Sequence, residues 1–162
     1  MRFAYADPPY IGQARKLYRT PEVDHHELLS RLNRDYPDGW ALSASSPSLP
    51  ALMAMPEMLA GIHIGAWVKP FCSFKPGVNP AYAWEPIIFF GGRRRGRDLP
   101  TLRDYVVCNI TLRKGLVGAK PAEVCSWILD FLNAQPGDVL DDLYPGTGIM
   151  GRVARERGLL DG

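Results

Sequence analysis

Asp7, Pro8, Pro9 and Tyr10 set an acid, two ring-locked residues and an aromatic side chain side by side. Proline at position 8 pushes Asp7 into an extended conformation, and Pro9 contributes no backbone donor, which leaves the Pro8 carbonyl free to accept. A carboxylate and a carbonyl can then converge on one spot beside an aromatic face. That set suits a planar ring carrying an exocyclic amino group, which offers two N–H donors and a surface for stacking. A strand-terminating turn with a surface tyrosine is the alternative reading of the same four residues.

A second stretch, Asp142 to Gly148 (DLYPGTG), follows GDVLD and precedes IMGRVARERG. Strand, acid, Gly-x-Gly turn and helix make one mechanical unit, in which glycines allow close backbone approach and the helix amino terminus faces a ligand. No Gly-Lys-Ser/Thr follows, so a Walker-type phosphate loop is a poor fit. A third stretch, Gly91 to Pro100 (GGRRRGRDLP), holds Arg93, Arg94, Arg95 and Arg97 within five residues. Beside a site these arginines would clamp phosphates, and elsewhere they are a solvated loop.

The elements that must carry these residues are legible in outline. Arg2 to Ala6 reads as a short strand ending at Asp7-Pro8, so the first candidate site stands at a strand's carboxyl end. His25 to Tyr36 reads as a helix with Leu28, Leu29 and Leu32 on one face and Asp24 as N-cap. Gly39 to Ser45, Gly61 to Val68 and Ala83 to Gly92 read as further strands, and Ser46 to Leu59 as a proline-broken helix. Pro121 opens a helix whose apolar face is Val124, Ile128, Leu129 and Leu132. Strands alternating with helices predict an α/β fold with a largely parallel sheet.

Composition bounds the rest. At 162 residues and 46% hydrophobic the chain fits a single domain over 1–162, and its net charge of +2 leaves any anionic partner to a local patch. Cys72, Cys108 and Cys125 are odd in number and widely spaced, which predicts reduced thiols of a cytoplasmic protein with no metal. His25 and His26 are expected at the surface without a ligand cluster. Neither a membrane span nor a secretory leader is expected.

Taken together, the motifs resemble those of the amino-methyltransferases that use S-adenosylmethionine to methylate exocyclic nitrogens of nucleobases, chiefly the adenine-N6 DNA methylases. The resemblance covers most of the chain, in a short form of the phage or bacterial type. DPPY at 7–10 matches the catalytic motif, DLYPGTG resembles the Asp-x-Phe-x-Gly-x-Gly donor motif, and GAKP (Gly118 to Pro121) resembles the Lys-Pro motif just upstream, the latter two lying within 118–151. Catalytic motif first and donor motif last is the permuted order of the beta class.

The resemblance implies a Rossmann-like methyltransferase sheet, circularly permuted, with helices on both faces. It implies that Asp7 and the Pro8 carbonyl hold the target amine, with Pro9 shaping the turn and Tyr10 stacking on a base flipped out of DNA. Gly146 and Gly148 would line the methionine part of S-adenosylmethionine, Asp142 and Tyr144 would shape that pocket, and Lys120 would meet the donor carboxylate. Arg93, Arg94, Arg95 and Arg97 would contact DNA, and base readout would come from about Lys69 to Arg113. Family members run on into another strand whose terminal acid holds the ribose; here RERGLLDG closes the sequence and Asp161 comes several residues early. The expectation is a donor strand at or near a sheet edge, edge strands missing, and a second copy or partner subunit completing the pocket, or else a degenerate nucleic-acid-binding subunit. RNA or a protein amide is the alternative substrate.

Overall fold

The computed structural model describes residues 1–14, 19–71, 77–110 and 119–162. Cys72, Gly118 and the 111–113 end of the expected readout stretch lie outside them. Among the described residues seven strands form one sheet in the order β5-β3-β4-β2-β1-β6-β7. They are β1 (Arg2–Ala6), β2 (Gly39–Ser43), β3 (His63–Val68), β4 (Trp84–Gly91), β5 (Tyr105–Val107), β6 (Val139–Asp142) and β7 (Leu160–Asp161). β4 is antiparallel to both its neighbours and every other pairing is parallel. The largely parallel sheet is thus present with one inverted strand.

Alternation along the strands sends side chains to two separate cores. Phe3, Tyr5, Ala41, Ile87 and Phe89 pack against α3 (Ala122–Leu132) and α4 (Ile149–Glu156). Ala4, Ala6, Trp40, Leu42 and Ile88 face α1 (His25–Asp35) and α2 (Leu49–Met53). Helices therefore cover both faces, as expected. Asp24 caps α1 by accepting from the amides of His26 and Glu27, which satisfies donors the helix itself cannot. Pro121 caps α3, whose buried face holds the four expected residues together with Cys125 and Trp127.

One expectation is corrected here. His26 is exposed and meets Glu57, but His25 is buried, its Nδ1 3.0 Å from the Val23 carbonyl, and burial holds its pKa below the ordinary range. Among the described residues no group of three His, Cys, Asp or Glu side chains could hold a metal, no helix is long and apolar enough to cross a membrane, and Cys108 and Cys125 are free thiols.

Gly65 in β3 is required by packing. A Cβ there would lie 2.6 Å from Trp127 Cη2 and 3.0 Å from Phe89 Cε2, and Trp127 is held by its Nε1–H donating to the Arg103 carbonyl. Gly65→Ala is expected to cost about 1–3 kcal/mol through overpacking, read as a lowered Tm in thermal unfolding.

Candidate functional site

β1 and β6 lie side by side and parallel, Tyr5 opposite Asp142, so both motifs emerge at the same end of the sheet. From β1 the chain passes through α1 on one face to β2. From β6 it passes through α4 on the other face to β7, and the two connections diverge. Divergence opens a crevice beyond the carboxyl ends of the two central strands, the place where open α/β sheets bind ligands.

On the β1 side stands a partly buried charge cluster. The Lys120 ammonium donates to both oxygens of Asp7, at 2.8 and 2.9 Å, and to the Tyr10 hydroxyl at 3.1 Å. Tyr10 in turn donates to Glu85 Oε2 at 2.6 Å, and that oxygen lies 3.3 Å from Lys120 Nζ. Lys69 pairs with the other Glu85 oxygen. Beneath Asp7, the Tyr5 hydroxyl and Ser43 Oγ share a buried hydrogen bond of 2.9 Å. Among the described residues the Pro8 carbonyl accepts no hydrogen bond.

The electrostatics follow from two acids and two cations in a shielded place. Burial raises the Asp7 pKa, opposed by Lys120 and reinforced by Glu85. Burial also works to raise Glu85, yet Lys120 and Lys69 outweigh it and hold that carboxyl below its ordinary range. For Lys120, burial favours the neutral amine, but Asp7, the two tyrosines and Glu85 prevail and keep it firmly protonated. Tyr10 is pushed well up, chiefly by burial, and stays a neutral hydroxyl.

On the β6 side the features are of another kind. Asp142 Oδ1 is buried with no hydrogen-bond partner among the described residues. Burial pushes the Asp142 carboxyl up to about 6, against the Tyr144 backbone amide and with help from Asp7. Gly146 and Gly148 have φ of +47° and +72°, left-handed backbone that glycine adopts without strain. A Cβ on Gly148 would meet nothing within 4 Å, and one on Gly146 only the Tyr144 carbonyl oxygen at 3.8 Å. An unpartnered buried carboxylate oxygen and an open glycine turn at the start of α4 suit a ligand that brings a cationic donor. β6 is second from the sheet edge, flanked by two-residue β7, where exposed Asp161 pairs with Arg155 at 3.2 Å.

The crevice gathers Asp7, Pro8, Tyr10 and Lys120 on one side and Asp142, Tyr144, Gly146 and Gly148 on the other. Lys120, expected at a donor carboxylate, has its ammonium on Asp7. The arginine loop is not there, and its expected place is corrected. β4 runs opposite to β1, so from Glu85 at the site to Gly91 the chain travels roughly 20 Å to the far end of the sheet. There Arg93 grips Asp138 at 2.7 and 2.8 Å, and Arg95 donates to the carbonyls of Asp130 and Pro100. Arg94 and Arg97 are exposed at that same far end. Two arginines of the run are structural ties, and none flanks Asp7.

Glu85 and Lys69 are site residues that sequence reasoning passed over. The available signal was an acid followed by proline at the head of an otherwise apolar strand, WEPIIFF.

No family model matches the sequence, and a search of curated proteins gives no match. Solved structures do match. M1.HpyAVI, crystallised in complex with SAM, superposes with a TM-score of 0.67 at 14% identity, over 99% of this chain and 80% of that one. TTHA0409 of Thermus thermophilus, described as a DNA modification methylase, gives 0.58 at 17% identity, over 99% of this chain and 78% of that one. The same protein complexed with S-adenosyl-L-methionine gives 0.51 at 16% identity, over 98% and 78%. With its mixed sheet, its two helical layers and the diverging connections that follow β1 and β6, this chain has the α/β methyltransferase fold.

Proposed function

We propose that the chain methylates an exocyclic amino group of a nucleobase with S-adenosylmethionine as donor, and that the target is adenine N6 in DNA. The observation that carries this reading is the placing, at the carboxyl ends of two adjacent parallel strands, of the Asp7–Pro8 acceptor pair beside the unpartnered Asp142 oxygen and the open glycine turn. The fold shared with M1.HpyAVI and with TTHA0409, described as a DNA modification methylase, both solved with the same donor, supports it.

S-adenosylmethionine, when bound, supplies an electrophilic methyl group on a sulfonium. Asp142 would accept from its ammonium, and the Gly146–Gly148 turn would pass close along its methionine part, with Tyr144 walling the same pocket. An aromatic amine is a poor nucleophile because its lone pair is delocalised into the ring. Asp7 and the Pro8 carbonyl, accepting its two N–H bonds, pull the nitrogen toward tetrahedral geometry, localise the lone pair and orient it toward the methyl group. Flipping the base costs a few kcal/mol, and stacking on Tyr10, worth about 1–3 kcal/mol, offsets much of that.

Asp142 makes donor binding depend on pH. Only the ionised carboxyl serves an ammonium, so affinity for S-adenosylmethionine is expected to rise as pH passes through about 6 and to level off above about 7. Asp142→Asn is expected to weaken binding about 10–100-fold at pH 8 and to flatten the profile, both read by isothermal titration calorimetry. The folded-state pKa lies above the unfolded one, so this group favours folding in acid and that contribution is lost as pH rises through about 6. The same variant is therefore expected to be more stable than wild type at pH 8, by about 1 kcal/mol after solvent screening.

The test of the function is incubation of the protein and S-adenosylmethionine with unmethylated DNA and, separately, with RNA, followed by mass spectrometry of the nucleosides. N6-methyldeoxyadenosine from the DNA supports the reading. A methylated nucleoside from RNA alone moves the substrate to RNA, and no methylated nucleoside from either removes the reading.

A further inference from the structure

Lys120 has more acceptors in reach than protons to give. An ammonium carries three N–H bonds, and four oxygens stand around Nζ: Asp7 Oδ1 at 2.8 Å, Asp7 Oδ2 at 2.9 Å, the Tyr10 hydroxyl at 3.1 Å and Glu85 Oε2 at 3.3 Å. In the arrangement described, the Asp7 oxygens take the shortest of these contacts. They are also the oxygens that the proposed function gives to the target amine.

The docking amine competes with Lys120 for the Asp7 lone pairs, and as the ammonium gives ground it needs a second anion to stay paired in its buried place. Glu85 is the anion within reach. Its side chain is about five-sixths buried (17% exposed), Lys69 neutralises its other oxygen, and its Oε2 already accepts the Tyr10 hydroxyl. A small swing of Lys120 from Asp7 toward Glu85 keeps the cation paired and opens the Asp7 oxygens.

We propose that Glu85 is a positioning residue of the methyl-transfer site, taking over Lys120 when the target amine docks on Asp7 and holding the Tyr10 ring in place by its hydroxyl. This rests on the function proposed above. Lys120 then competes with the target amine for Asp7, and Glu85 sets how readily it gives way.

The test is steady-state kinetics with unmethylated bacterial chromosomal DNA and tritiated S-adenosylmethionine. Glu85→Gln keeps the shape and removes the charge, so Lys120 stays on Asp7. KM for DNA is expected to rise about tenfold and kcat to fall about tenfold, with Kd for S-adenosylmethionine within about twofold of wild type. Glu85→Asp, which keeps the charge, is expected to restore several-fold of the lost turnover. In a Lys120→Met background no ammonium needs a seat and the Gln amide oxygen can still accept from the Tyr10 hydroxyl, so Glu85→Gln is expected to change the kinetics by no more than about twofold. Three results would overturn the proposal: DNA kinetics of Glu85→Gln within twofold of wild type, a loss of donor affinity in step with turnover, or an equal loss from Glu85→Gln with and without Lys120. Failure of the wild-type protein to methylate DNA would overturn the function itself, and with it the role of Glu85.

Discussion

Asp7→Ala is expected to lower methyl transfer by about 10²–10³-fold while leaving the affinity for S-adenosylmethionine within about twofold of wild type. The magnitude is that of removing one preorganised group aimed at charge developing in a transition state. Donor affinity is expected to survive because its proposed determinants, Asp142 and the Gly146–Gly148 turn, belong to β6 and the start of α4, and loss of the nearby Asp7 charge only favours the ionised form of Asp142. The fold survives because Lys120 keeps Glu85 at 3.3 Å and the Tyr10 hydroxyl at 3.1 Å once Asp7 is gone. Tritium incorporation into DNA and calorimetric titration with the donor check the two halves separately. Full activity in this variant would sink the role of Asp7, and loss of donor binding would place Asp7 in the donor pocket.

Lys120→Met is expected to have the largest effect on stability, lowering the unfolding free energy by about 3–5 kcal/mol at pH 8, as removal of one partner from a buried ion pair does. Lys120 is 7% exposed and stands between two carboxylates, Asp7 and Glu85. Without it Lys69 still serves Glu85, but Asp7 faces an acid with no cation of its own. The sign with pH follows. A carboxyl whose folded pKa is raised costs nothing while protonated and destabilises the fold as pH rises through that pKa. The deficit of Lys120→Met should therefore be greatest in alkali and shrink toward pH 5, read by urea unfolding at the two pH values. Equal stability of variant and wild type at pH 8 would show that the cluster is not held by Lys120.

What could be read beforehand was what is local. Arg2 to Ala6 ends at an aspartate and two prolines, and the strand stops there. Asp24 precedes a run of leucines at helical spacing and caps α1. Pro121 opens α3, and Gly146 and Gly148 take the positive φ that their turn requires. Long-range geometry was out of reach for equally physical reasons. Chain order says that the arginines follow WEPIIFF, but not that β4 runs against β1 and carries them to the far end of the sheet. Glu85 and Lys120 are 35 positions apart, and only the strand register brings that acid to Lys120 and Tyr10. Tyr105–Val107 is three residues long, too short for alternation to declare a strand. His25 sits beside a polar histidine at a helix start, and only packing decides which of the two is buried.

The proposed reaction passes a methyl group from S-adenosylmethionine to a nucleobase amine held at Asp7. Its most direct test supplies the protein with unmethylated DNA and S-adenosylmethionine bearing a trideuterated methyl group, digests the DNA to nucleosides, and weighs them by mass spectrometry. The wild-type chain is expected to yield N6-methyldeoxyadenosine carrying all three deuterons, and Asp7→Ala an amount about 10²–10³-fold smaller. A wild-type protein that binds the donor yet leaves every DNA base unlabelled, or an Asp7→Ala variant that labels DNA as fast as wild type, would contradict it.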